Sequence, residues 1–481
     1  MNNFIKACYL LPITISLSFA EVITYIPAAE VKASEWFQVS VENKSVFVYD
    51  HPLAPFTIFD FKGELTLNIK SKKDIRWVDI RPKSLGLVYS YTGTNITIKI
   101  KRPCQFSVEI NQMPYQEPLL VFANPIEKSK PNPKDTNVIF YETGKVHKIG
   151  KIEVKSNKTL YIEGGAVVEG FILAENAKNI KIMGSGILDG VNNRGYQKDK
   201  RWYRFVDLID CNNVTLSGIT LIRATTWEVV PTHCNQMLID NIHILSENGG
   251  DDGIDIVRTK NLVIQNSFIR TKDDNIAVKC IRKYPDTETC ENILVRNCVL
   301  WNTVWGNAIE IGFELAATEV KNIRFQDCDI IHCEAGAAIS IHNTDYTLIK
   351  DLVFEDIRIE ETTQKLFDLS IFLSRYSKDN PFSNEETTAR YWHGVWDNAI
   401  LLTDEEKVKF SAQRGSIENI LFKNISVIDG PPNAFSVIAG YDKQHMIKNI
   451  TFENVTIYGK KMTNLVDGKF AVEYAENIVF K

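Results

Sequence analysis

Two pairs of adjacent aspartates are the residues of this sequence best placed for acid–base chemistry. Asp251 and Asp252 lie in "ENGGDDGIDIV", Asp273 and Asp274 lie in "RTKDDNIAVK", and each pair precedes a short apolar run. Because 21 residues separate Asp252 from Asp273, about one coil of the chain would bring the pairs to one face. Carboxyl groups that close resist joint ionisation, which raises the pKa of one member and equips the group for acid and base roles. Calcium binding and turn capping are the alternative uses of such aspartates.

A degenerate repeat supplies the coil that this spacing requires. Two short β-type runs flank an Asn, Asp or Gly, as in "VTLSGITLI", "ILVRNCVL" and "ITFENVTI", and most repeats lie 23 to 31 residues apart. That interval is typical of one coil of a parallel β-solenoid, in which equivalent turn residues stack into ladders. We therefore predict an all-β chain built on a right-handed parallel β-helix. No catalytic role is assigned to the central residues of the repeats, which are Gly218, Asn241, Asn266, Asn297, Asp327, Asp356, Asn424 and Asn454.

One interval of the repeat is longer than the others. The step from Asp356 to Asn424 holds about 40 extra residues, a length that predicts a loop or hairpin leaving the solenoid. Long loops of such folds often line a binding site, so this insertion is a candidate wall of the substrate cleft.

The N-terminal third of the chain predicts a signal and a separate small domain. Residues 1–33 carry a short apolar run typical of a secretory signal cleaved after Ala33; cleavage after Ala20 and a retained membrane anchor are the alternatives. Residues 34–124 alternate apolar and polar residues, which predicts a small antiparallel β-sandwich. Residues 125–135, rich in proline and charge, form a linker to the β-helix domain of residues 136–481. We expect a secreted or periplasmic protein with no integral membrane association after signal removal.

Composition and cysteine positions limit the classes of molecule that this protein is expected to bind. A formal charge of -5 with 44% hydrophobic residues is ordinary for a soluble globular protein, and the lack of a basic excess argues against nucleic acid. The sequence has no CxxC pair, so neither a zinc site nor a redox motif is indicated. We predict no bound metal and no cofactor. Cys298 and Cys328 occupy equivalent repeat positions and are expected to be stacked, buried thiols. Cys280 and Cys290 flank a loop and are the pair placed for a disulfide.

The stretch around the aspartates resembles the core of the polygalacturonases, glycoside hydrolase family 28. "TTWEVV", "DDGIDIV" and "KDDNIAVK" match motifs of that family, and the likeness spans about Leu160 to Glu360. The resemblance implies an inverting glycoside hydrolase acting on a polysaccharide or oligosaccharide. In that reaction Asp252 and Asp274 would activate a water molecule and Asp273 would protonate the departing oxygen.

Two departures from the family pattern loosen the expected substrate. Asn307 stands where the family has a histidine, and Ser340 and His342 stand where it has the Arg-Ile-Lys that grips a galacturonate carboxylate. The aspartate triplet, the N-terminal sandwich and "IEIGFE" are also similar to the dextranase and isopullulanase group, glycoside hydrolase family 49, which acts on neutral glucans. The expectation is a polygalacturonase-like site whose substrate need not be a galacturonate.

Several further residues are predicted to bind substrate, with core packing or plain solvent exposure as the alternative for each. Aromatic rings stack on the apolar faces of sugars. The resemblance to family 28 implies that Lys279 projects toward the cleft. Glu310 alternates with two isoleucines and therefore points outward. The predicted binding residues are Trp227, Lys279, Trp305, Asn307, Glu310 and His342, with Tyr376 and Trp392 as additional aromatic candidates.

Two other functions are compatible with the same fold. A polysaccharide lyase would need a Lys or Arg base and usually calcium, and Lys279 with the acidic pairs could supply them. A solenoid that binds carbohydrate without cleaving it would follow if the altered family positions had abolished catalysis. The products formed from a polysaccharide panel distinguish these functions from hydrolysis.

Overall fold

The computed structural model describes residues 20–111, 118–192, 203–246, 248–281, 284–390 and 399–481. Residues 1–19 of the expected signal and Trp392 lie outside this part. The first strands form an N-terminal sandwich: β1 (Glu21–Thr24), β2 (Phe37–Val41), β3 (Lys44–Val46), β4 (Val48–Tyr49), β5 (Phe56–Lys62), β6 (Leu65–Ser71), β7 (Val78–Arg81), β8 (Val88–Thr92), β9 (Asn95–Ile100), β10 (Cys104–Ile110) and β11 (Leu119–Pro125).

The sandwich consists of two sheets that enclose a common apolar core. One sheet has the order β3-β2-β6-β9-β8 and is antiparallel, whereas the other, β1-β5-β11-β10-β7 with β4 beside β5, is mixed. The prediction of a wholly antiparallel sandwich was therefore wrong, because β11 returns to pair in parallel with β5. β1 pairs with β5 and buries Val22 in this core. Cleavage after Ala33 would remove that strand, so we propose that the signal is cleaved after Ala20.

The remaining strands form the solenoid. In chain order they are β12 (Val138–Tyr141), β13 (Val146–Glu153), β14 (Thr159–Ile162), β15 (Val167–Glu175), β16 (Lys178–Gly184), β17 (Ile187–Asp189), β18 (Val206–Ile209), β19 (Asn212–Ser217), β20 (Thr220–Ile222), β21 (Val229–Thr232), β22 (Asn235–Asp240), β23 (His243–Leu245), β24 (Ile254–Val257), β25 (Lys260–Gln265), β26 (Phe268–Thr271), β27 (Ile276–Cys280), β28 (Cys290–Arg296), β29 (Val299–Asn302), β30 (Ile309–Leu315), β31 (Glu319–Gln326), β32 (Asp329–Cys333), β33 (Ala337–Asn343), β34 (Leu348–Glu355), β35 (Arg358–Ile359), β36 (Lys365–Ile371), β37 (Ser416–Lys423), β38 (Ser426–Val427), β39 (Phe435–Ala439), β40 (Ile447–Glu453), β41 (Thr456–Ile457), β42 (Lys460–Lys461), β43 (Phe470–Glu473) and β44 (Ala475–Phe480).

Successive coils stack these strands into three parallel columns. The first column runs β12-β14-β16-β19-β22-β25-β28-β31-β34-β37-β40-β44. The second runs from β17 through β20, β23, β26, β29, β32, β35 and β38 to β41, and the third from β18 through β21, β24, β27, β30, β33, β36 and β39 to β43. The predicted parallel β-helix is thus confirmed, and each full coil contributes one strand to each column.

Turn ladders and an apolar interior hold the coils in register. The central repeat residues adopt positive φ, and their side chains bond between coils, as where Asn297 donates to Asn266 Oδ1 at 2.7 Å and Asn454 donates to Asn424 Oδ1 at 2.8 Å. The asparagine ladder is therefore confirmed as a structural feature. The interior includes a row of stacked rings, Phe325, Phe354, Phe422, Phe452 and Phe480, whose centroids lie 4.9 to 5.5 Å apart.

The cysteines of the solenoid are buried thiols. Cys298 and Cys328 are both buried in adjacent coils, as predicted from their equivalent positions. Cys280 and Cys290 also remain thiols, with their sulfurs 3.9 Å apart. The disulfide considered for this pair is not formed in the structure.

The long insertion and the sandwich cover two different sides of the solenoid. The described residues 372–390 and 399–415 leave the coil between β36 and β37, as predicted, and contain the helices α1 (Asn384–Ala389) and α2 (Asp404–Phe410). The sandwich packs on the second column, where Phe122 stacks on His243 at 4.0 Å. The outer face of the third column is thus left for the long insertion and the predicted site. No helix in the described ranges is long and apolar enough to cross a membrane.

Candidate active site

The three predicted catalytic aspartates form one cluster. Asp252 precedes β24, and Asp273 and Asp274 precede β27, the next strand of the third column. One carboxylate oxygen from each residue lies within 4.8 Å of the others, so the clustering predicted from the 21-residue spacing is confirmed. Asp252 and Asp274 are buried, whereas Asp273 is half-buried and the most accessible of the three.

Gly306, which the sequence analysis did not single out, closes the back of this cluster. Its φ is +64°, and an added Cβ would collide with the carboxylate of Asp273 and the backbone nitrogen of Asp274. Only a glycine therefore fits without displacing the aspartates. The signal in the sequence was its place in "WGNAIE", the segment that resembles the Gly-His-Gly of family 28.

The aspartates differ in their surroundings. Burial and the charge of Asp252 raise the pKa of Asp273 to about 6. Burial and the charges of Asp252 and Asp273 raise the pKa of Asp274 well above its usual range. Asn307 donates to Asp274 Oδ1 through its backbone nitrogen at 2.7 Å and through its side chain at 3.3 Å. Buried Asn307 thus orients Asp274, and its amide is already committed within the protein.

Lys279 is paired with carboxylates and does not extend into the cleft. Its Nζ lies 2.7 Å from Asp252 Oδ2, 3.0 Å from Asp255 Oδ1 and 4.0 Å from a carboxylate oxygen of Glu314. Burial works against the charge, but these carboxylates outweigh it and hold the pKa of Lys279 well above its usual value. The predicted direct contact with substrate is not supported, because the residue is only 5% exposed and its ammonium is engaged.

Trp227 is half-buried and its ring is occupied by two cations. Arg204 Cζ lies 3.8 Å from the ring centroid and Lys279 Nζ lies 4.0 Å from it. Both distances are within the range of cation–π attraction. A ring covered in this way supports Lys279 and is not a free platform for a sugar.

Glu310 and His342 belong to a buried charge row that the sequence did not reveal. In register along the third column, Glu310 of β30 lies beside Ser340 of β33, which lies beside Asp368 of β36. Glu310 accepts hydrogen bonds from Asn307 at 2.8 Å and from Ser340, and lies 2.9 Å from His342 Nδ1. The expectation that Glu310 is exposed to solvent or sugar was wrong, since the residue is 0% exposed.

His342 carries a positive charge within this row. Its Nε2 lies 3.2 Å from Asp368 Oδ2, and its ring stacks on Phe313 at 4.9 Å. Burial favours the neutral ring, but Glu310 and Asp368 outweigh it and raise the pKa of His342 to about 9. The positive charge of the imidazolium is therefore balanced by carboxylates inside the protein. It supports the site but is too enclosed to grip a substrate carboxylate.

Among the predicted aromatic residues within the described ranges, Trp305 is the most exposed. It is 57% exposed, directly precedes Gly306, and its indole lies 3.5 Å from the position of a Cβ built on Gly249. Tyr376, from the long insertion, lies 6.0 Å from Phe313 between ring centroids and is thus close to the charge row. The insertion therefore packs close to the charge row, and its role as a wall of the substrate cleft stays a prediction.

The carboxylate cluster also has the spacing of a cation site. Asp252, Asp273 and Asp274 could each offer one oxygen to a metal ion. However, Lys279 already supplies a positive charge at 2.7 Å from Asp252. The arrangement of one ammonium and three carboxyls with different proton affinities suits proton transfer.

Comparisons of fold extend over nearly the whole chain. Dex49A from Penicillium minioluteum has a TM-score of 0.67 and 15% identity, and the match covers 96% of this chain and 97% of that one. A hyperthermoactive exopolygalacturonase from Thermotoga maritima has a TM-score of 0.51 and 16% identity, covering 72% of this chain and 84% of that one. These likenesses confirm the right-handed parallel β-helix, and the first of them includes the sandwich.

Comparisons of sequence identify the family. Polygalacturonase QRT2 of Arabidopsis thaliana is 24% identical over 231 residues, which are 45% of this chain and 49% of that protein. A probable exopolygalacturonase B of Aspergillus terreus is 26% identical over 38% of this chain and 46% of its own length. The chain thus spans about half the length of these curated relatives. The model of glycosyl hydrolases family 28 matches residues 142–444, so the predicted resemblance is confirmed and this chain belongs to glycosyl hydrolases family 28.

Proposed function

We propose that this protein hydrolyses glycosidic bonds of a polysaccharide or oligosaccharide, with Asp273 as general acid and Asp252 as the base that activates water. Asp274, whose carboxyl holds its proton more strongly than usual, orients this water. The observation that carries the proposal is the convergence of three carboxyl groups within 4.8 Å in a chain of this family. Asp273 is the accessible member, and its pKa of about 6 suits a proton donor at mildly acidic pH. Asp252 is ion-paired with Lys279, so an ammonium lies 2.7 Å from the carboxylate proposed as the base.

Inversion at the anomeric carbon is part of this proposal. Two carboxylate oxygens 4.8 Å apart or less can both accept hydrogen bonds of about 2.8 Å from one water. However, inverting enzymes usually separate their carboxyl groups by about 6.5 to 9.5 Å, and the carboxylate oxygens of this cluster lie closer together than that. The anomer first released, followed by NMR during hydrolysis, decides the point. A retained configuration would exclude inversion and would leave hydrolysis intact.

We also propose that the preferred substrate is not unmodified polygalacturonate. Ser340 and His342 stand where the family resemblance expects the carboxylate-gripping pair, and both are buried. The charge of His342 is compensated by Glu310 and Asp368 on either side. A subsite built on these residues offers no bidentate cation to a uronate at that position. Efficient cleavage of polygalacturonate would disprove this part of the proposal.

A lyase reaction is less well supported by the same contacts. Lys279, the lysine considered as its base, is buried between Asp252 and Asp255 and holds its proton strongly. A base for proton abstraction must be able to lose its proton near the working pH. The site therefore favours hydrolysis over elimination.

A panel of neutral, acidic and decorated polysaccharides tests the proposed function. New reducing ends without the ultraviolet absorbance of an unsaturated uronate indicate a hydrolase, and that absorbance indicates a lyase. Asp273→Asn protein prepared in the same way controls for contaminating enzymes. If no polysaccharide is cleaved but one is retained in affinity electrophoresis, the protein is a carbohydrate-binding solenoid and the proposal fails.

A further inference from the structure

Asp255 is a buried carboxylate beside the cluster that the proposed reaction does not yet use. It lies on β24, where Ile254 and Ile256 face the solenoid interior, so its side chain points outward toward the site. It is nevertheless 0% exposed. A substrate therefore cannot reach it, and its role must pass through a neighbour.

That neighbour is Lys279. Its Nζ lies 3.0 Å from Asp255 Oδ1 and 2.7 Å from Asp252 Oδ2, so one ammonium joins the two carboxyl groups of the same segment. The ring of Trp227, 4.0 Å from Nζ at its centroid, covers a further side. A flexible lysine side chain held at several points keeps little freedom, and its position is fixed relative to Asp252.

Asp252 and Asp255 both lie beside the positive charge of Lys279, but their carboxyl groups do not carry equal negative charge. Burial and the charge of Asp252 raise the pKa of Asp255 well above its usual value. Asp255 therefore takes up a proton more readily than usual, while its Oδ1 stays 3.0 Å from the ammonium of Lys279. The charge of the ammonium is then left to compensate Asp252, the group that must remain ionised to act as a base.

We propose that Asp255 is a positioning residue for this reaction, which anchors Lys279 so that Lys279 in turn fixes the carboxylate of Asp252 and its negative charge. The inference rests on the hydrolysis proposed above, since it concerns the residue that activates water there. Groups that orient a reacting residue from behind typically change activity by roughly tenfold to a hundredfold when removed. Asp255 itself contacts neither substrate nor water in this scheme.

Kinetics of three variants test the anchor. Asp255→Ala should lower kcat about tenfold with KM changed less than about twofold, and Lys279→Met should lower kcat about a hundredfold. Asp255→Asn keeps an oxygen for the ammonium and should recover most of the loss seen with alanine. Because Asp255 acts only through Lys279, the double variant should be no slower than Lys279→Met alone.

The pH dependence separates anchoring from simple electrostatics. Lys279→Met removes the ammonium 2.7 Å from Asp252 and leaves Arg204 as the other cation that interacts with Asp252 and Asp255. The acidic limb of kcat/KM should therefore move to higher pH in Lys279→Met and, to a smaller extent, in Asp255→Ala. If Asp255 merely repelled Asp252, its removal would move that limb to lower pH. A purely structural role would leave the limb in place, and either result would overturn the proposal.

A titration that needs no turnover keeps this inference distinct from the proposed function. Isotope-edited NMR of the aspartate carboxyl carbons, assigned with Asp252→Asn, follows the protonation of Asp252 directly. An upward shift in both variants supports the anchor even if no polysaccharide is cleaved. Asp329→Ala is the matched control, because Asp329 is also a buried carboxylate, 6% exposed against 0% for Asp255. It lies away from the cluster and is paired with Arg358, whose Nε is 2.6 Å from its Oδ1. If Asp255→Ala lowers the melting temperature more than this control does, Asp255→Ser is used instead. If the titration midpoint of Asp252 does not move in that variant, the proposed anchoring role of Asp255 is refuted.

Discussion

Replacing Asp273 with asparagine tests the proposed general acid most directly. With a pKa of about 6, the side chain is roughly nine-tenths protonated at pH 5 and roughly one-tenth protonated at pH 7. The basic limb of kcat/KM should therefore fall near pH 6 in the wild-type enzyme. Asparagine has the same shape but cannot deliver the proton, so turnover of an unactivated glycosidic bond should fall by roughly a hundredfold to ten-thousandfold.

The assay compares two leaving groups on the sugar that the panel identifies. An oligosaccharide needs protonation of its departing oxygen, whereas a nitrophenyl glycoside hardly does. Asp273→Asn should therefore retain much more of its rate on the aryl substrate, and its basic limb should disappear. Asp252→Asn and Asp274→Asn should show no such recovery, because they impair the attacking water whichever group departs.

The outcome that refutes this assignment is an equal loss on both substrates in Asp273→Asn. Melting temperatures of the three variants must lie close to that of the wild type, since Asp252 and Asp274 are buried and a folding defect would mimic a catalytic one. Full activity of Asp273→Asn on the oligosaccharide would remove the whole cluster from the mechanism.

Three further predictions concern binding and stability. Trp305→Ala should raise KM roughly threefold to tenfold without changing the melting temperature, because the ring is exposed and we propose that it stacks on the sugar. The pKa of His342 in the folded protein is about 9, so its stabilising charge should be fully present below about pH 6.5 and lost as pH rises through 9. The free energy of unfolding should therefore fall by up to about 3 kcal/mol between these pH values. The variant His342→Gln should not show this fall. Phe354→Ala, in the stacked row, should cost about 3 to 5 kcal/mol in denaturant unfolding.

The fold was predictable because each coil repeats the same local rules. Asn297 and Asn454 mark turns that need positive φ and that bond to the asparagine one coil away, so a single sequence shows the coil length. The aspartate cluster followed from that length, since a spacing near one coil brings two loops together. The parallel pairing of β11 with β5 could not be foreseen, because alternating strands do not encode which neighbour they pair with.

The alternation of apolar and polar residues could not predict that the outward-facing charged residues are buried. This burial is the main difference between the predicted site and the structure. Period-two patterning correctly directs Lys279 and Glu310 away from the interior. Whether an outward residue meets water, however, depends on what covers the column. Around His342 one covering group comes from the long insertion, since the rings of His342 and Phe372 lie 5.6 Å apart. Lys279 and Glu310 therefore act on the aspartates from within the protein, which leaves exposed Trp305 as the aromatic residue best placed to meet a sugar beside Asp273.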